Sequence, residues 1–404
     1  MARSHMDAAK TAKQDEFYTQ WADIEREMNA YLEYDPDVFR GKTILLPCDD
    51  PEWSNFSKYF ALHFTELGIK KLISTSYAPA SNADGAFYTP TLFDDPQFDE
   101  AKDQTHGKIF TLVPEDVSGD GRVDIDDLKW DYLEGDGDFR SAEVTALRDQ
   151  ADMVITNPPF SLFRTFLAWL MNGRVQFSVI GNVNATTYKE VFPLIEQNLV
   201  WKGATANSSD MVFEVPPGVE VAPSDRLKAE KLGYASNDRR TYTRLGNSCW
   251  FTNIEHGRRH EPLTLMTMAD NIKYSRHKDV RGHEYQFYDN YDALDVGHVD
   301  AIPSDHSGTI GVPITFLDRY NPEQFEIVGI AKAPMGKPTK TYPKQTQIGS
   351  KGERSQVTKL NDGPAIKLDE PPVGKTYYEV DGEFYAQVYA RILIRHRIPA
   401  PKKD

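Results

Sequence analysis

The chain has 404 residues, 40% apolar and 12% aromatic, which is enough to bury a sizeable core in one large domain plus a second or an extension. Two cysteines, Cys48 and Cys249, exclude a disulfide framework, and no apolar run reaches the length of a membrane span or a signal-peptide core. A cytoplasmic protein with no membrane partner is expected. The net charge of −15 would count against nucleic-acid binding if it were uniform, but residues 225–281 hold twelve Lys or Arg against seven acids, and residues 327–360 hold seven against one. Those runs suit phosphates, although a merely solvated surface has the same composition.

In chain order, the opening MARSHM resembles a tag remnant, and residues 1–12 are set apart from the fold. Residues 15–34 carry Ile24, Met28, Tyr31 and Leu32 at helical spacing, entered through Phe17, Tyr18 and Thr19. Residues 43–46 form a buried strand ending in Pro47-Cys48-Asp49-Asp50-Pro51. A helical pattern over 54–67 and a strand over 72–75 complete a strand-helix-strand unit. A cofactor would meet the loop at Cys48 to Asp50, yet that loop lacks the glycine-rich fingerprint of dinucleotide sites.

Residues 78–108 read as a long excursion, followed by an apolar strand over 109–113. The next stretch places Asp116, Ser118, Asp120, Asp124 and Asp127 at the oxygen positions of a calcium loop, with Gly121 at the sharp turn. The alternative is an acidic Asp/Gly turn without an ion. Residues 130–133 lead into Gly135-Asp136-Gly137-Asp138-Phe139, a turn that offers an acid and an aromatic ring to an adenine.

Residues 153–156 are apolar or β-branched and run into Asn157-Pro158-Pro159-Phe160, after which Leu162, Phe163, Phe166, Leu167 and Leu170 fall at helical spacing. In an open α/β sheet such a loop lies at the carboxyl end of a strand, where ligands bind. Two prolines fix φ and remove two donors, leaving carbonyls to accept. The Asn157 side-chain oxygen and the Pro158 carbonyl can hold the two N–H bonds of an exocyclic amine, turning its lone pair toward a methyl donor. Phe160 can stack on a base drawn out of the duplex. Further on, 177–180 is expected as a strand, 186–195 as a helix, and 211–215 and 249–253 as late strands, with the catalytic architecture closing near Gly257.

The order FYT, PCDDPEWSNF, GDGDFRS, NPPF, IGNVNATTYKE and CWFTN, with PITFLDRYNPEQFEIVG and YARILIR near the end, resembles the EcoRI-type adenine-N6 DNA methyltransferases across nearly the whole chain. The resemblance implies an α/β fold: a seven-stranded, Rossmann-like methyltransferase sheet over residues 13–258 that uses S-adenosylmethionine, and a carboxy-terminal target-recognition region over 259–404 that holds double-stranded DNA. It also implies that Phe17, Tyr18 and Thr19 cover the cofactor, that Cys48, Asp49 and Asp50 line it, and that Asp138 and Phe139 take its adenine. Asn157, Pro158, Pro159 and Phe160 are then the catalytic loop. No acid follows the second strand, so the ribose is left to Asp49 or Asp50, and Trp250 or Phe251 is the candidate for a second stacking face, a buried core role being the alternative. The same loop type also serves enzymes that methylate RNA bases or a protein glutamine, and a non-catalytic calcium-loop module is a further reading. A restriction endonuclease partner is compatible with the sequence but not required by it.

If the basic runs track phosphates, affinity for duplex DNA falls with added salt, by roughly a thousandfold between 50 and 200 mM once six or more phosphates are neutralised. Filter binding across that range checks it, and a salt-insensitive affinity contradicts it.

Overall fold

The structure is a computed structural model, and it describes residues 18–50, 54–78, 97–205, 211–215, 220–237 and 240–397. The chain parts into two compact units, the first comprising residues up to 185 together with 200–257, the second 186–199 together with 258 onward.

The first unit opens with β1 (Tyr18–Thr19) and α1 (Trp21–Tyr34). On α1, Ile24, Met28 and Tyr31 share one buried face, as their spacing requires. Next come β2 (Thr43–Pro47), α2 (Asn55–Leu62) and β3 (Lys71–Ser76). The α2 helix starts where it does because the Ser54 side chain accepts from the Phe56 and Ser57 amides at 3.0 and 3.4 Å, capping two orphan donors. The chain continues through β4 (Lys108–Leu112), β5 (Lys129–Tyr132), α3 (Ala142–Gln150), β6 (Met153–Thr156), α4 (Phe163–Gly173) and β7 (Gln176–Asn182). It closes with β8 (Trp201–Lys202), β9 (Val212–Val215), α5 (Pro223–Lys231), β10 (Thr241–Arg244) and β11 (Ser248–Thr252).

Eight of these strands form one sheet in the order β5-β4-β3-β2-β6-β7-β11-β8. The central four, β3, β2, β6 and β7, are parallel. An antiparallel pair flanks them on each side. The sheet therefore has eight strands where the resemblance implied seven, because the 129–132 segment pairs with β4 and extends that edge. Both β2 and β6 are wholly buried, as expected of apolar runs covered on both faces. A cluster that includes Ile24, Met28, Tyr31, Phe56, Phe60, Ile155 and Trp250 forms the core. A separate three-stranded sheet, β1-β9-β10, has its own small cluster of Val212, Ala229 and Tyr242, the alanine supplied by α5.

One buried acid ties distant parts of this unit together. Glu27 on α1 has no exposed surface, and its carboxylate accepts from Tyr31 Oη at 2.7 Å, the Ala204 amide at 2.9 Å, and the Thr205 amide and hydroxyl at 2.8 and 2.6 Å. A buried carboxylate so completely hydrogen-bonded offsets its desolvation cost.

The second unit contains a four-stranded sheet, β12 (Leu294–Asp295), β13 (Ile310–Pro313), β20 (Arg391–His396) and β14 (Phe325–Ala331) in that order. It also holds a five-stranded antiparallel sheet ordered β16 (Arg354–Val357), β15 (Gln345–Ile348), β18 (Tyr377–Val380), β19 (Glu383–Gln387) and β17 (Ala365–Leu368). The helix expected over 186–195 is only Phe192–Glu196, because Pro193 cannot donate a helical hydrogen bond and is accommodated only in the first turn. Among the described residues, no helix is long and apolar enough to cross a membrane.

Candidate active site

The parallel strands β2, β3 and β6 bring their carboxyl ends to one edge of the sheet. The chain leaves β2 for β3 on one side and returns to β6 on the other, which makes that edge the topological switch point where α/β sheets open a crevice. The expected ligand loops all start there.

Asp49 is the pivot. It is 6% exposed, and its Oδ1 accepts from Ser54 Oγ at 2.6 Å. Its other oxygen lies 2.5 Å from Thr156 Oγ1, at the end of β6, and that hydroxyl lies 2.7 Å from the Pro47 carbonyl. The Asp49 main chain is held as firmly: its amide donates to the Thr75 carbonyl at 2.9 Å, and its own carbonyl accepts from the hydroxyls of Ser57 and Ser74. Burial pushes the Asp49 carboxyl up to about 7, against the opposing hydrogen bonds from Ser54 and Thr156. Cys48 beside it has a φ of 70°, a left-handed conformation uncommon outside glycine.

Thr156 leads into the Asn157 loop. Asn157 is half-buried, Pro158 buried, and Pro159 and Phe160 half-buried. The Pro159 carbonyl closes a 3-10 turn by accepting from the Leu162 amide at 2.9 Å, so the Pro158 carbonyl is not spent in that turn. The Phe160 ring meets Phe213 of β9 edge to face at 6.4 Å between centroids. Phe213 is the register partner of Thr19, whose carbonyl accepts from the Asn55 side chain at 2.7 Å. Tyr18 and Thr19, the Cys48–Asp50 loop and the Asn157–Phe160 loop are thus linked through named contacts; Phe17 lies outside the described residues.

The Asp136–Phe139 turn docks on the end of β3. The Ala78 amide donates to the Asp136 carbonyl at 2.8 Å, and Tyr77 Oη to its carboxylate at 3.3 Å. Gly137 has a φ of 84°, and a Cβ there would collide with the Ser76 carbonyl, so only glycine permits this approach. Asp138 is paired with its neighbour: Arg140 Nε lies 2.9 and 3.1 Å from its two oxygens and Nη2 2.5 Å from Oδ2. Burial pushes the Asp138 carboxyl up, but the Arg140 hydrogen bonds and charge outweigh it and hold it below the ordinary carboxylate value. Phe139 is 3% exposed and packs edge-on against Phe166 and Trp169 at 4.9 and 5.7 Å, so it supports the turn from beneath.

Three expectations need correction. Trp250 and Phe251 are 1% and 0% exposed, enclosed by Phe56 and Phe163 respectively, because β11 lies inside the sheet between β7 and β8; they are core residues that no extruded base can reach. Asp49, with its carboxyl enclosed as above, is not presented to a ribose. The calcium loop spends its acids on its own backbone. Asp127 accepts from the amides of Val117, Ser118 and Asp124 at 2.8, 2.7 and 3.0 Å, and Asp116 from those of Gly119 and Gly121 at 2.6 and 2.9 Å. Asp120 and Asp124 cap Arg122 and Asp126 in the same way. The Ser118 and Asp124 amides hold the Asp127 carboxyl below its ordinary value. Among the described residues, the trio of acid and imidazole groups drawn together is His277, Asp279 and His298, and the acids of 116–127 are not among them. Sequence reasoning missed Thr156, Tyr77, Asp136 and Phe213. Only Asp136 carried a signal, as the first acid of the Gly-Asp-Gly-Asp turn.

An Asn-Pro-Pro-aromatic loop at the end of a central parallel strand, beside the loop after β2 at the switch point, is the arrangement expected of a methyltransferase for exocyclic amino groups. The chain belongs to the EcoRI-type adenine-specific methyltransferase family, whose profile, described as "Adenine-specific methyltransferase EcoRI", matches residues 5–397. It is 39% identical over 326 residues to the type II methyltransferase M.EcoRI of Escherichia coli, covering 80% of this chain and 88% of that protein. It is 32% identical over 330 residues to M.MpnI of Mycoplasma pneumoniae, covering 82% and 86%. A relative in Mycoplasma genitalium, M.MgeORF184P, is also 32% identical over 330 residues, covering 82% and 87%. No solved structure matches the chain significantly. The chain is thus an adenine-specific type II DNA methyltransferase, and its family implies S-adenosylmethionine as methyl donor.

Because the folded-state value of Asp49 is raised, the native protein binds more protons than the unfolded chain between about pH 4 and 7. The contribution of this group is therefore fully present at the acid end of that window and lost as pH rises through it. Asp49→Asn removes that dependence, so its stability relative to the parent improves steadily from pH 4 to 7. Denaturant melts at several pH values check this, and a constant difference contradicts it.

Proposed function

We propose that Asn157, Pro158, Pro159 and Phe160 carry out methyl transfer to the N6 amino group of an adenine extruded from double-stranded DNA, within a Rossmann-like methyltransferase sheet. The observation that carries this reading is the tie from Asp49 to Thr156, which places the Cys48–Asp50 loop beside the catalytic loop. Bound S-adenosylmethionine supplies an electrophilic sulfonium methyl. The Asn157 side-chain oxygen and the Pro158 carbonyl accept from the two N–H bonds of the amine, so that its lone pair leaves the ring plane and points at the methyl. Phe160, with Phe213 at its edge, stacks on the base.

The polar set at the end of β3 suits the cofactor. We assign the ribose hydroxyls to Asp136, with Tyr77 and Asp50 beside the same edge, since the Asp49 carboxyl is enclosed. Asp138, braced by Arg140, faces the adenine end, and Tyr18 and Thr19 close over the cofactor with Cys48 in its loop. Residues 259–404, which include the basic 327–360 run, are assigned to reading the DNA target. A soluble enzyme acting on cellular DNA fits a cytoplasmic location, and an endonuclease partner is not needed for the chemistry.

Asn157→Ala should lower turnover by two orders of magnitude or more while DNA and cofactor dissociation constants change little, because its acceptor works chiefly in the transition state. Phe160→Ala should weaken the extruded-base complex as well, by roughly 1–3 kcal/mol of lost stacking. Single-turnover methylation with base-extrusion fluorescence separates the two, and wild-type turnover in Asn157→Ala would overturn the assignment.

A further inference from the structure

Away from the catalytic loop, the sheet encloses a pair of reactive groups that methyl transfer does not use. Lys202 on β8 is 3% exposed and Cys249 on β11 has no exposed surface. The two strands are hydrogen-bonded with Lys202 opposite Phe251. Lys202 Nζ lies 2.6 Å from Cys249 Sγ and 5.0 Å from the centre of the Phe251 ring, and Cys249 Sγ lies 3.7 Å from the Gly181 carbonyl. A nitrogen seldom comes nearer to oxygen than about 2.7 Å in a hydrogen bond, and sulfur is the larger atom, so an N–H···S contact should be longer still. At 2.6 Å the two atoms stand as near as a pair bonded to one shared atom.

We propose that Lys202 and Cys249 are a modification site, joined in the oxidised protein by a single oxygen in an Nζ–O–Sγ bridge that thiols reverse. The oxidant is dioxygen. One S–H bond, two N–H bonds of the ammonium and the O=O bond break; one S–O and one O–N bond form. The second oxygen leaves as water, carrying the thiol hydrogen and one amine hydrogen, and the other amine hydrogen leaves as a proton. Sulfur and nitrogen are oxidised by two electrons each, and dioxygen accepts all four. The bridge removes a positive charge from a buried place, where an ammonium is costly, and it fastens the two-residue edge strand β8 to β11. Cysteine oxidation usually follows exposure; here both groups are buried, and the 2.6 Å contact with the amine rather than exposure singles out Cys249 over Cys48.

Mass spectrometry of the whole protein tests this. The protein is held in dioxygen-saturated buffer, denatured, alkylated without reductant and digested. The expected product joins the peptides of Lys202 and Cys249, with a mass equal to their sum plus one oxygen less two hydrogens, while Cys48 is alkylated. Dithiothreitol before alkylation should separate the peptides and leave Cys249 alkylated. In Lys202→Met the joined species should be absent under the same oxidation. Complete alkylation of Cys249 in the oxygen-treated wild type, or a joined product lacking the added oxygen, would overturn the proposal.

Discussion

The buried Asp49 carboxyl, shared between Ser54 and Thr156, is the interaction on which the site depends. Enclosing a carboxyl costs several kcal/mol unless its oxygens are satisfied. Here the satisfaction comes from two separate parts of the chain, the cap of α2 and the last residue of β6. The loop after β2 cannot move relative to the Asn157 loop without stranding that group. Cys48 beside it is held at positive φ, a local strain that the surrounding hydrogen bonds sustain.

From that tie the rest of the first unit follows. Two prolines stiffen the chain beyond Thr156, and Phe160 leans on Phe213, which lies in register with Thr19. The Thr19 carbonyl returns to Asn55, one residue past the Ser54 cap. The chain of contacts is closed, so the loop after β2, the Asn157 loop and the Tyr18–Thr19 strand hold one another in place. Glu27 performs a parallel service behind the sheet, fixing residues 204 and 205 from α1.

The strand and loop at 153–160 were legible because everything that defines them is local: four residues fit for a buried strand and two prolines. The strand-helix-strand unit was legible for the same reason, and family resemblance extended that reading to the chemistry. What stayed hidden was non-local. Asp49 looks like a cofactor ligand until Thr156, 107 positions away, is seen to enclose it. Trp250 and Phe251 look available until β11 is seen between two other strands. The acids of 116–127 have the spacing of a calcium loop, but the same spacing lets a short turn cap its own amides, and spacing alone does not separate the two. Asp136 and Asp138 are equivalent in sequence; only the docking of Gly137 on Ser76 distinguishes them. The second unit, built from two sheets with long connections, offered little periodicity to read.

The most direct test of this account is the single-turnover methylation rate of Thr156→Val at saturating DNA and cofactor. Valine keeps the shape of threonine and the β-branched preference of the strand while deleting the hydroxyl that joins Asp49 to the start of the Asn157 loop. A rate reduced tenfold or more, with the cofactor dissociation constant and circular dichroism close to wild type, is the predicted result. A wild-type rate would show that the Asn157 loop keeps its working position without Asp49, and would contradict the account.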